Sequence, residues 1–457
     1  MRVNRPIPRT PAPTTHEGGR AARSTPEKEL TRTVATCLLW ENTFYESGNT
    51  IADRITELCK VVDPDVIGQL AISARTDLHL RHVPLFLALQ LVKRCLNSWY
   101  HVGRVITEVV QRPDEMSEFL SLYWKDGKRP LAKQVKIGLA NAFKKFSPYQ
   151  LSKWDRESKI TLRDVMFLAH PEPSKNLAYS LEQAVTWKKL ANKELESADT
   201  WEVALSRGDN KKETWERLLS ERKLGYMALL ANLRNMAEAN VKPSLVGQAL
   251  IDGAPTSKAL PFRFVAAAKA APQWTDYLSE AMEISAKRSD LGQLPGTTLL
   301  LIDVSGSMEA TLSAKSTISR LEAAAALAVL ARGVSGRCRV LTFSYNCVEI
   351  EPGYGLQMIE RVVNSQQHGA TYLGGSIKGM AAHGLLDLAS RLIVVTDEQV
   401  QPGHELPKWT WPGRGYVINV APYEHGLSNK DGWVKINGWS DRVIEFIQRY
   451  EKGEFDD

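Results

Sequence analysis

The sequence predicts a mixed fold, in which an all-α region of helical repeats precedes an α/β domain with a doubly wound parallel sheet. From about Glu29 to Ala286, apolar residues recur three and four positions apart, which is the spacing of amphipathic helices. From Pro295 onward, short apolar runs of strand length alternate with helical patterns, which is the order of βαβ units. A chain of 457 residues, 43% of them hydrophobic, is long enough for both regions.

Helix starts in the N-terminal region are marked by a short polar residue followed by proline. Asp63 and Ser147 can each accept a free backbone N–H of the first turn, and the proline after them suits the first helical position. The apolar pattern predicts helices over 65–75, 83–92, 135–146, 149–154 and 218–236. Many short helices joined by tight turns favour stacked helix pairs, although no clear sequence repeat is visible.

The C-terminal region contains alternating strand and helix patterns. Strands are predicted over 298–303, 339–343, 391–396 and 416–420. The alanine-rich segment 321–331 predicts a helix, and a closing helix over 442–450 follows Ser440 as its cap. Ligands of such sheets bind beyond the carboxyl ends of the strands, so we expect site residues there.

These patterns divide the chain into three parts. Residues 1–27 hold five arginines among prolines, threonines and glycines, and are predicted to be a disordered basic arm. Residues 28–290 form the helical region and residues 295–457 the α/β domain. The five cysteines include no Cys-x-x-Cys pair, the first residues lack a secretory signal, and no apolar run reaches membrane-spanning length. These features exclude secreted and membrane classes and favour a reduced, cytoplasmic setting.

Charge is distributed unevenly along the chain. Residues from 295 onward carry 15 Lys and Arg against 18 Asp and Glu, whereas the rest of the chain carries 43 against 34. Residues 125–163 hold eleven basic residues and only three acidic ones. Such a local excess is the electrostatic footprint of a surface that binds a polyanion. A lysine-rich solvated face has the same composition, so charge alone leaves both interpretations open.

Oxygen-bearing residues follow the first predicted strand. Asp303, Ser305 and Ser307 alternate in the loop after that strand, so one carboxylate and two hydroxyls can point to the same side. Thr371 lies in a glycine-rich loop, and Asp397 directly follows the strand over 391–396. This hard oxygen set suits Mg²⁺ or Mn²⁺. Together the elements resemble the metal-ion-dependent adhesion site of von Willebrand factor A domains, which implies one divalent cation bound by Asp303, Ser305, Ser307, Thr371 and Asp397.

Other interpretations of this loop are disfavoured. The chain has no Gly-x-x-x-x-Gly-Lys-Ser/Thr phosphate loop, and Asp-Val-Ser-Gly-Ser lacks the first glycine of a hydrolase nucleophile elbow. His368 lies nearby in the sequence without an evident carboxylate partner, so no catalytic base is identified. Glu398 replaces the small residue that commonly follows the last aspartate of the adhesion site. Its carboxylate is expected either to tighten metal binding or to fill the open ligand position.

Several segments of the helical region resemble the TROVE module of Ro autoantigens and bacterial Ro-related proteins. They are LLWENTFYE over 38–46, QLAISAR over 69–75, RDVMFLAHPEP over 163–173, WERLL over 215–219, LGYMALLANLRN over 224–235 and LPFRF over 260–264. The resemblance implies a HEAT-like ring of helical repeats joined to a von Willebrand A domain. It also implies binding of small structured Y RNAs outside the ring and of misfolded or single-stranded RNA ends in its hole.

The resemblance also assigns RNA contacts to individual positions. The positions that match the family are Lys133, Lys136, Lys153 and His170. Arg156 lies close to a family arginine but out of register, because Glu157 takes that position. These residues fall in, or just after, the basic segment 125–163, and phosphate neutralisation supplies most sequence-tolerant RNA affinity.

These observations predict a Ro-type RNA-binding protein, a monomer that acts as a scaffold or chaperone in RNA quality control or processing and is not an enzyme. Its expected partners are Y-like RNA, misfolded or single-stranded RNA, and an RNA-processing enzyme. The alternative is an adaptor that binds proteins through the metal site of the A domain. A metal-dependent nuclease or hydrolase is disfavoured by the single metal site and the missing base.

Overall fold

The computed structural model describes residues 13–21, 25–36, 47–95, 101–206, 208–288, 291–312, 316–421, 423, 427, 432–438 and 442–453. The chain divides into two compact units. The sheet unit comprises Met1–Thr36, Glu41–Ser47 and Ile251–Asp457, and the helical unit comprises Cys37–Trp40 and Gly48–Leu250. The division at 250/251 therefore differs from the domain boundary that the sequence predicted at 290–295.

Helices make up most of the described residues. They are α1 (Pro26–Thr36), α2 (Gly48–Val61), α3 (Pro64–Thr76), α4 (His82–Arg94), α5 (Val102–Val109), α6 (Pro113–Tyr123), α7 (Lys133–Phe143), α8 (Pro148–Trp154), α9 (Leu162–Ala169), α10 (Leu177–Asn192), α11 (Trp201–Ser206), α12 (Lys211–Ser220), α13 (Tyr226–Glu238), α14 (Pro243–Gly253), α15 (Pro261–Ala270), α16 (Thr275–Ala286), α17 (Arg320–Val334), α18 (Leu356–Val363), α19 (Leu373–Ala382) and α20 (Arg442–Glu451). None of these helices combines the length and the apolar character that a membrane span requires.

The helical unit is a repeat-like stack of short helices. α3 packs against α4 and α5, α5 packs against α7, and α7 packs against α9. The predicted helices over 65–75, 83–92, 135–146 and 149–154 correspond to α3, α4, α7 and α8 and are confirmed. The single helix predicted over 218–236 is wrong. Arg222, with a φ of +53°, ends α12 in the left-handed region, and the N–H of Lys223 donates to Leu218 O, which closes the helix before Gly225 begins the next one.

The sheet unit is built on a mixed six-stranded sheet with the strand order β3-β2-β1-β4-β5-β6. The strands are β1 (Leu294–Asp303), β2 (Ser335–Phe343), β3 (Cys347–Ile350), β4 (Arg391–Thr396), β5 (Arg414–Asn419) and β6 (Trp433–Asn437). All neighbouring pairs are parallel except β2 and β3. The prediction of a purely parallel sheet is therefore corrected at one edge, where a three-residue turn between β2 and β3 permits only antiparallel pairing.

The core of the sheet unit lies on both faces of its central strands. β4 is buried along its whole length, as expected of a central parallel strand covered on both sides. The helix predicted over 321–331 is confirmed as α17, whose alanines let it pack closely against β1 and β2. Helices α15 and α16 also pack against α17, which explains why they belong to the sheet unit. The closing helix is confirmed as α20, while its predicted cap, Ser440, lies outside the described residues.

Residues 13–21 differ from the disordered arm that composition predicted over 1–27. Thr15 is only 4% exposed, and its hydroxyl donates a hydrogen bond to Val400 O at 2.7 Å. The backbone N–H of His16 donates to Gln399 Oε1 at 2.9 Å. Composition did not reveal this order, because polar contacts with a distant part of the chain hold the segment, rather than burial of apolar side chains. Residues 1–12 and 22–24 lie outside the described residues.

Candidate metal centre and nucleic-acid interface

Asp303 ends β1 at the carboxyl edge of the sheet, between β2 and β4. Its side chain is fully buried. One carboxylate oxygen, Oδ1, accepts a hydrogen bond from the Ser305 backbone N–H at 2.9 Å, and Oδ2 accepts one from the Thr396 hydroxyl at 2.6 Å. Because Thr396 is the last residue of β4, the Asp303 carboxylate joins the ends of two central strands.

Asp397 follows β4 and is also fully buried. The Ser307 hydroxyl forms a hydrogen bond with this carboxylate, and the backbone N–H of Gln399 donates to its Oδ1 at 3.2 Å. Ser305 Oγ lies 3.4 Å from Ser307 Oγ. The other carboxylate oxygen of Asp397, Oδ2, is buried and has no hydrogen-bond partner among the described residues. One anionic oxygen is thus left for a cation.

Thr371 lies in the loop between α18 and α19 and is nearly buried. Backbone hydrogen bonds join this loop to its neighbours. Gly306 N–H donates to Gly369 O at 3.2 Å, and Tyr372 N–H donates to Ser344 O at 3.1 Å. The structure therefore places the five predicted metal ligands in loops that meet at the carboxyl edge of the sheet. The described contacts link four of these side chains directly: Asp303, Ser305, Ser307 and Asp397.

Two buried carboxylates repel one another at this edge. Burial, followed by the charge of Asp397, raises the pKa of Asp303 to about 7, and burial also raises the pKa of Asp397. Within the described ranges, no group of three or more His, Cys, Asp and Glu side chains could hold a metal ion. The donors that the sequence nominated are instead two carboxylates and three hydroxyls. Such a set fits a hard cation such as Mg²⁺, and a cation there would relieve the repulsion.

Glu398 is held by two cations of the protein itself. Its carboxylate lies 2.9 Å from Arg32 Nη2 of α1 and 3.0 Å from Lys435 Nζ of β6, and its side chain is 1% exposed. Although burial alone raises the pKa of a carboxyl group, Lys435 and Arg32 hold the pKa of Glu398 below its ordinary value. The sequence suggested a role as an additional metal ligand. The structure instead engages this carboxylate in ion pairs.

His368 has a carboxylate partner, so the expectation of an unaccompanied histidine is wrong. Its Nδ1 lies 2.5 Å from Glu309 Oε1, and its Nε2 lies 2.8 Å from Val363 O. Glu309 belongs to the short 3₁₀ turn that also contains Ser307. Because both ring nitrogens lie against acceptors of the protein, neither is free to contact an external group.

The helical unit exposes two of the predicted RNA contacts on α7. Lys133 and Lys136 lie one turn apart, both are exposed, and neither forms an ion pair with another described residue. His170 is exposed at the end of α9, the helix that packs against α7. It caps α9 in the left-handed region, with a φ of +51°, which is uncommon for a residue other than glycine.

The other two predicted contacts surround an aromatic ring at the end of α8. Lys153 Nζ lies 5.7 Å and the Arg156 guanidinium carbon 4.9 Å from the ring centre of Trp154. Arg112 lies over the same ring at 3.8 Å, and Arg156 also approaches Glu202 at 3.8 Å. Lys153 and Arg156 therefore make contacts within the protein, unlike the two lysines of α7.

Two cations of the basic segment are structural. Lys145 Nζ donates to the carbonyl oxygens of Thr107 and Val110, both at 2.6 Å, and burial lowers the pKa of this lysine. Arg163 Nε donates to Ala191 O at 2.6 Å. These side chains satisfy carbonyl groups at the carboxyl ends of α5 and α10. The charge excess that identified the segment thus includes residues that stabilise the fold.

A cavity of about 190 Å³ lies between the end of α7 and α10, and no sequence pattern predicted it. Its wall includes the exposed side chains of Lys144 and Tyr179. The buried ring of Trp187 also lines the cavity, and its indole N–H has no hydrogen-bond partner in the part of the chain described. An exposed cation and aromatic ring beside a small cavity are features of surfaces that bind unpaired nucleobases.

Comparison with known proteins agrees with the resemblance seen in the sequence. The model of the TROVE domain family matches residues 22–195 and 191–289, which together form more than half of the chain. The fold is similar to that in the crystal structure of the Ro (RSR) protein of Deinococcus radiodurans, with a TM-score of 0.59 and 15% sequence identity, over 94% of this chain and 100% of that chain. No match is found among curated protein sequences. The family match over most of the helical region shows that the chain belongs to the TROVE domain family.

Proposed function

We propose that this protein binds RNA through its helical unit and acts as a Ro-type scaffold or chaperone in RNA quality control or processing. The observation that carries the proposal is the pair of exposed lysines on α7, which form no ion pair with another described residue, with His170 exposed at the end of the adjacent helix. Membership of the TROVE family supports it, because the resemblance to Ro proteins implies RNA contacts at these positions.

Small structured, Y-like RNA is the first proposed ligand, and misfolded or single-stranded RNA is the second. Lys133 and Lys136 can neutralise phosphates without reading sequence, which suits RNA recognised by its shape. The cavity at the end of α7, about 190 Å³, is smaller than the roughly 300–1,000 Å³ of sites for drug-sized ligands. It suits one ring system, so an unpaired base can enter it while Tyr179 stacks on a neighbouring base. The HEAT-like ring that the resemblance implies belongs to the same proposal.

We also propose that the sheet unit is a von Willebrand A domain that binds one Mg²⁺ or Mn²⁺. The residues that would hold the cation are Asp303, Ser305, Ser307, Thr371 and Asp397. The Oδ2 of Asp397, which has no hydrogen-bond partner among the described residues, supports this assignment, because a buried carboxylate oxygen without a donor is costly unless a cation compensates it. When bound, the cation would offer its remaining coordination position to an external oxygen ligand.

A non-catalytic role is the one we propose for this metal centre. His368, beside the 3₁₀ turn that contains Ser307, has both ring nitrogens against protein acceptors, so this histidine is not free to activate water. The second candidate function is that of an adaptor, in which the cation captures a carboxylate of a partner protein such as an RNA-processing enzyme. Five protein ligands in an octahedral shell would leave one coordination position open for such a carboxylate, which favours this candidate.

Filter binding and sequencing of bound RNA test the proposal. Purified protein should retain a small structured RNA, with log affinity falling linearly against log salt between about 50 and 200 mM, and the RNA recovered from cells should be enriched in small noncoding species. Failure to retain RNA, together with Mg²⁺-dependent capture of a protein, would favour the adaptor. Cleavage of the RNA by purified protein would contradict the non-catalytic role.

A further inference from the structure

The N-terminal segment packs on the loop that follows the candidate metal ligand Asp397. We call residues 13–21 and 25–36 the N-terminal strap. Its first part is a tight turn, in which Thr15 N–H donates to Gly19 O at 2.8 Å and Gly19 N–H donates to the Thr15 hydroxyl at 3.0 Å. The same hydroxyl donates to Val400 O at 2.7 Å, and His16 N–H donates to Gln399 Oε1 at 2.9 Å. This turn is thus hydrogen-bonded to the loop over residues 397–400, which we call the metal loop.

Glycines allow close backbone approach at both ends of the strap. A Cβ atom on Gly19 would lie 2.4 Å from Val400 O. At the other end, a Cβ atom on Gly438, after β6, would lie 2.5 Å from Ala35 O in the last turn of α1. Neither position accommodates a side chain unless the backbone moves. The backbone of the strap is therefore in close contact with the metal loop at one end and with the residue after β6 at the other.

An ion pair joins the strap to the residue beside Asp397. Arg32 reaches the Glu398 carboxylate from α1 at 2.9 Å, and Lys435 reaches it from β6 at 3.0 Å. Glu398 is a third buried carboxylate next to the pair formed by Asp303 and Asp397. Without the two cations, its charge would add to the repulsion at the metal centre, or its carboxylate would turn toward a bound cation.

Glu398 also takes part in the backbone geometry of the metal loop. Its φ of +64° is sparsely populated by residues other than glycine and persists where surrounding contacts enforce it. Its N–H donates to the Thr396 hydroxyl at 3.0 Å, and that hydroxyl donates to Asp303 Oδ2 at 2.6 Å. A continuous chain of polar contacts therefore runs from Arg32 through Glu398 and Thr396 to the first metal ligand.

We propose that Glu398, held by Arg32 and Lys435, is a positioning residue of the metal centre, so that docking of the N-terminal strap and binding of a divalent cation favour one another. This inference rests on the metal site proposed above and adds its regulation by the strap. The coupling is reciprocal. The factor by which a docked strap raises cation affinity equals the factor by which the bound cation stabilises the docked strap.

Mn²⁺ affinity of the full-length chain tests one side of this coupling. Arg32→Met removes the strap's cation from the ion pair, and we expect Mn²⁺ binding by isothermal titration to weaken on the order of tenfold, within the range typical of coupled sites. Lys28→Met is the matched control, because it removes a cation from an exposed position on the same helix. Its Mn²⁺ affinity should stay within about twofold of that of the unaltered protein.

Hydrogen exchange of the strap tests the other side. The His16 N–H is protected while it is bonded to Gln399, so exchange of residues 13–21 reports docking. Mn²⁺ should slow this exchange in the unaltered protein by about the factor found from affinity, and should leave it unchanged in Asp303→Ala. Thr15→Val removes the hydrogen bond to Val400 without touching the ion pair. Thr15→Val should therefore also weaken Mn²⁺ binding. If Arg32→Met does not fold, the affinity of Thr15→Val tests the coupling in its place.

The possible outcomes distinguish failure of the proposed coupling from failure of the proposed metal site. Equal Mn²⁺ affinity in the unaltered protein and in the folded strap variants would overturn the coupling while leaving the metal site in place. Tighter binding by Arg32→Met would also overturn it, because freed Glu398 would then be joining the coordination shell. Absence of Mn²⁺ binding in the unaltered protein, with Asp303→Ala indistinguishable from it, would refute the metal site itself and the coupling with it.

Discussion

The two candidate sites use charge in opposite ways. In the helical unit, Lys133 and Lys136 are exposed and unpaired within the described ranges, whereas in the sheet unit Asp303 and Asp397 are fully buried in hydrogen-bonded loops. A phosphate backbone requires cations that reach into solvent, while a hard metal ion requires oxygens that are already arranged out of water. This contrast is what we expect if the helical unit binds an anion and the sheet unit binds a cation.

The same contrast extends to the charge of the surrounding chain. Residues from 295 onward carry more acidic than basic side chains, and the remainder of the chain carries an excess of basic ones. Phosphate is therefore attracted to one part of the chain and repelled by the other. We expect RNA binding and metal binding to be separable functions, and four predictions test how complete the separation is.

Asp303→Ala should have the largest effect. It removes the carboxylate that joins β1 to β4, and the remaining hydroxyls of that loop hold a divalent ion poorly against water, so Mn²⁺ binding by isothermal titration should be lost. RNA affinity, measured by filter binding on the same preparation, should stay within about threefold, or roughly 0.7 kcal/mol. Loss of RNA binding on this substitution, or on chelation, would mean that the metal bridges phosphate directly and that the sites are not separate.

Replacing Lys133, Lys136 and Lys153 together with alanine should have the next largest effect. Each lost phosphate contact contributes roughly 0.7–0.9 to the slope of log affinity against log salt, so the slope should flatten by about 2–3. Mn²⁺ binding should not change, because the substituted residues all lie in the helical unit. Filter binding across a salt series measures the slope.

A second triple variant controls for the loss of charge alone. The exposed lysines Lys211, Lys212 and Lys242 lie in the same unit, outside the basic segment. Replacing them with alanine removes the same charge and should leave the salt slope unchanged. If both triples flatten the slope equally, RNA responds to net charge rather than to the α7 face. If neither does, the basic segment is only a solvated surface.

Lys144 and Lys145 provide a sharper contrast within the basic segment. Lys145→Ala removes two hydrogen bonds to carbonyl oxygens, so the free energy of unfolding should fall by about 1–2 kcal/mol in urea titrations. Lys144→Ala should leave stability within about 0.5 kcal/mol and flatten the salt slope of RNA binding by at most about one phosphate contact. The reverse assignment of the two effects would show that the roles inferred from the structure are exchanged.

Patterns confined to neighbouring residues were predictable from the sequence. Helices α3, α4, α7, α8 and α17 and four strands of the sheet follow from apolar periodicity, which is a local property. The candidate metal ligands could be placed at one edge of the sheet, because strand ends can be located from the sequence and parallel strands end at the same edge. The short edge strands β3 and β6 were not predicted, since their mixed polar and apolar residues show no clear alternation.

Contacts between distant residues could not be predicted. The ion pair between Arg32 and Glu398 and the hydrogen bond between Thr15 and Val400 each join residues more than 360 positions apart. His368 and Glu309 are 59 positions apart. No local pattern records such pairs, and each partner alone resembles an ordinary surface charge or loop residue. Composition therefore assigned disorder to a segment that is ordered by its partners.

His170 should show the smallest effect of the four, and it tests whether the RNA face includes more than charge. His170→Ala should weaken binding of a structured RNA about two- to tenfold, equivalent to one hydrogen bond, and weaken binding of an unstructured oligomer less.

The φ of +51° at this position complicates the alanine variant, because alanine disfavours the left-handed region. His170→Gly is the matched control, since glycine preserves the cap of α9 and removes only the imidazole. If both variants lose structured RNA equally, the imidazole is the contact. A loss confined to His170→Ala would assign the effect to the helix end, and equal losses on both RNAs would end its assignment as a specific contact.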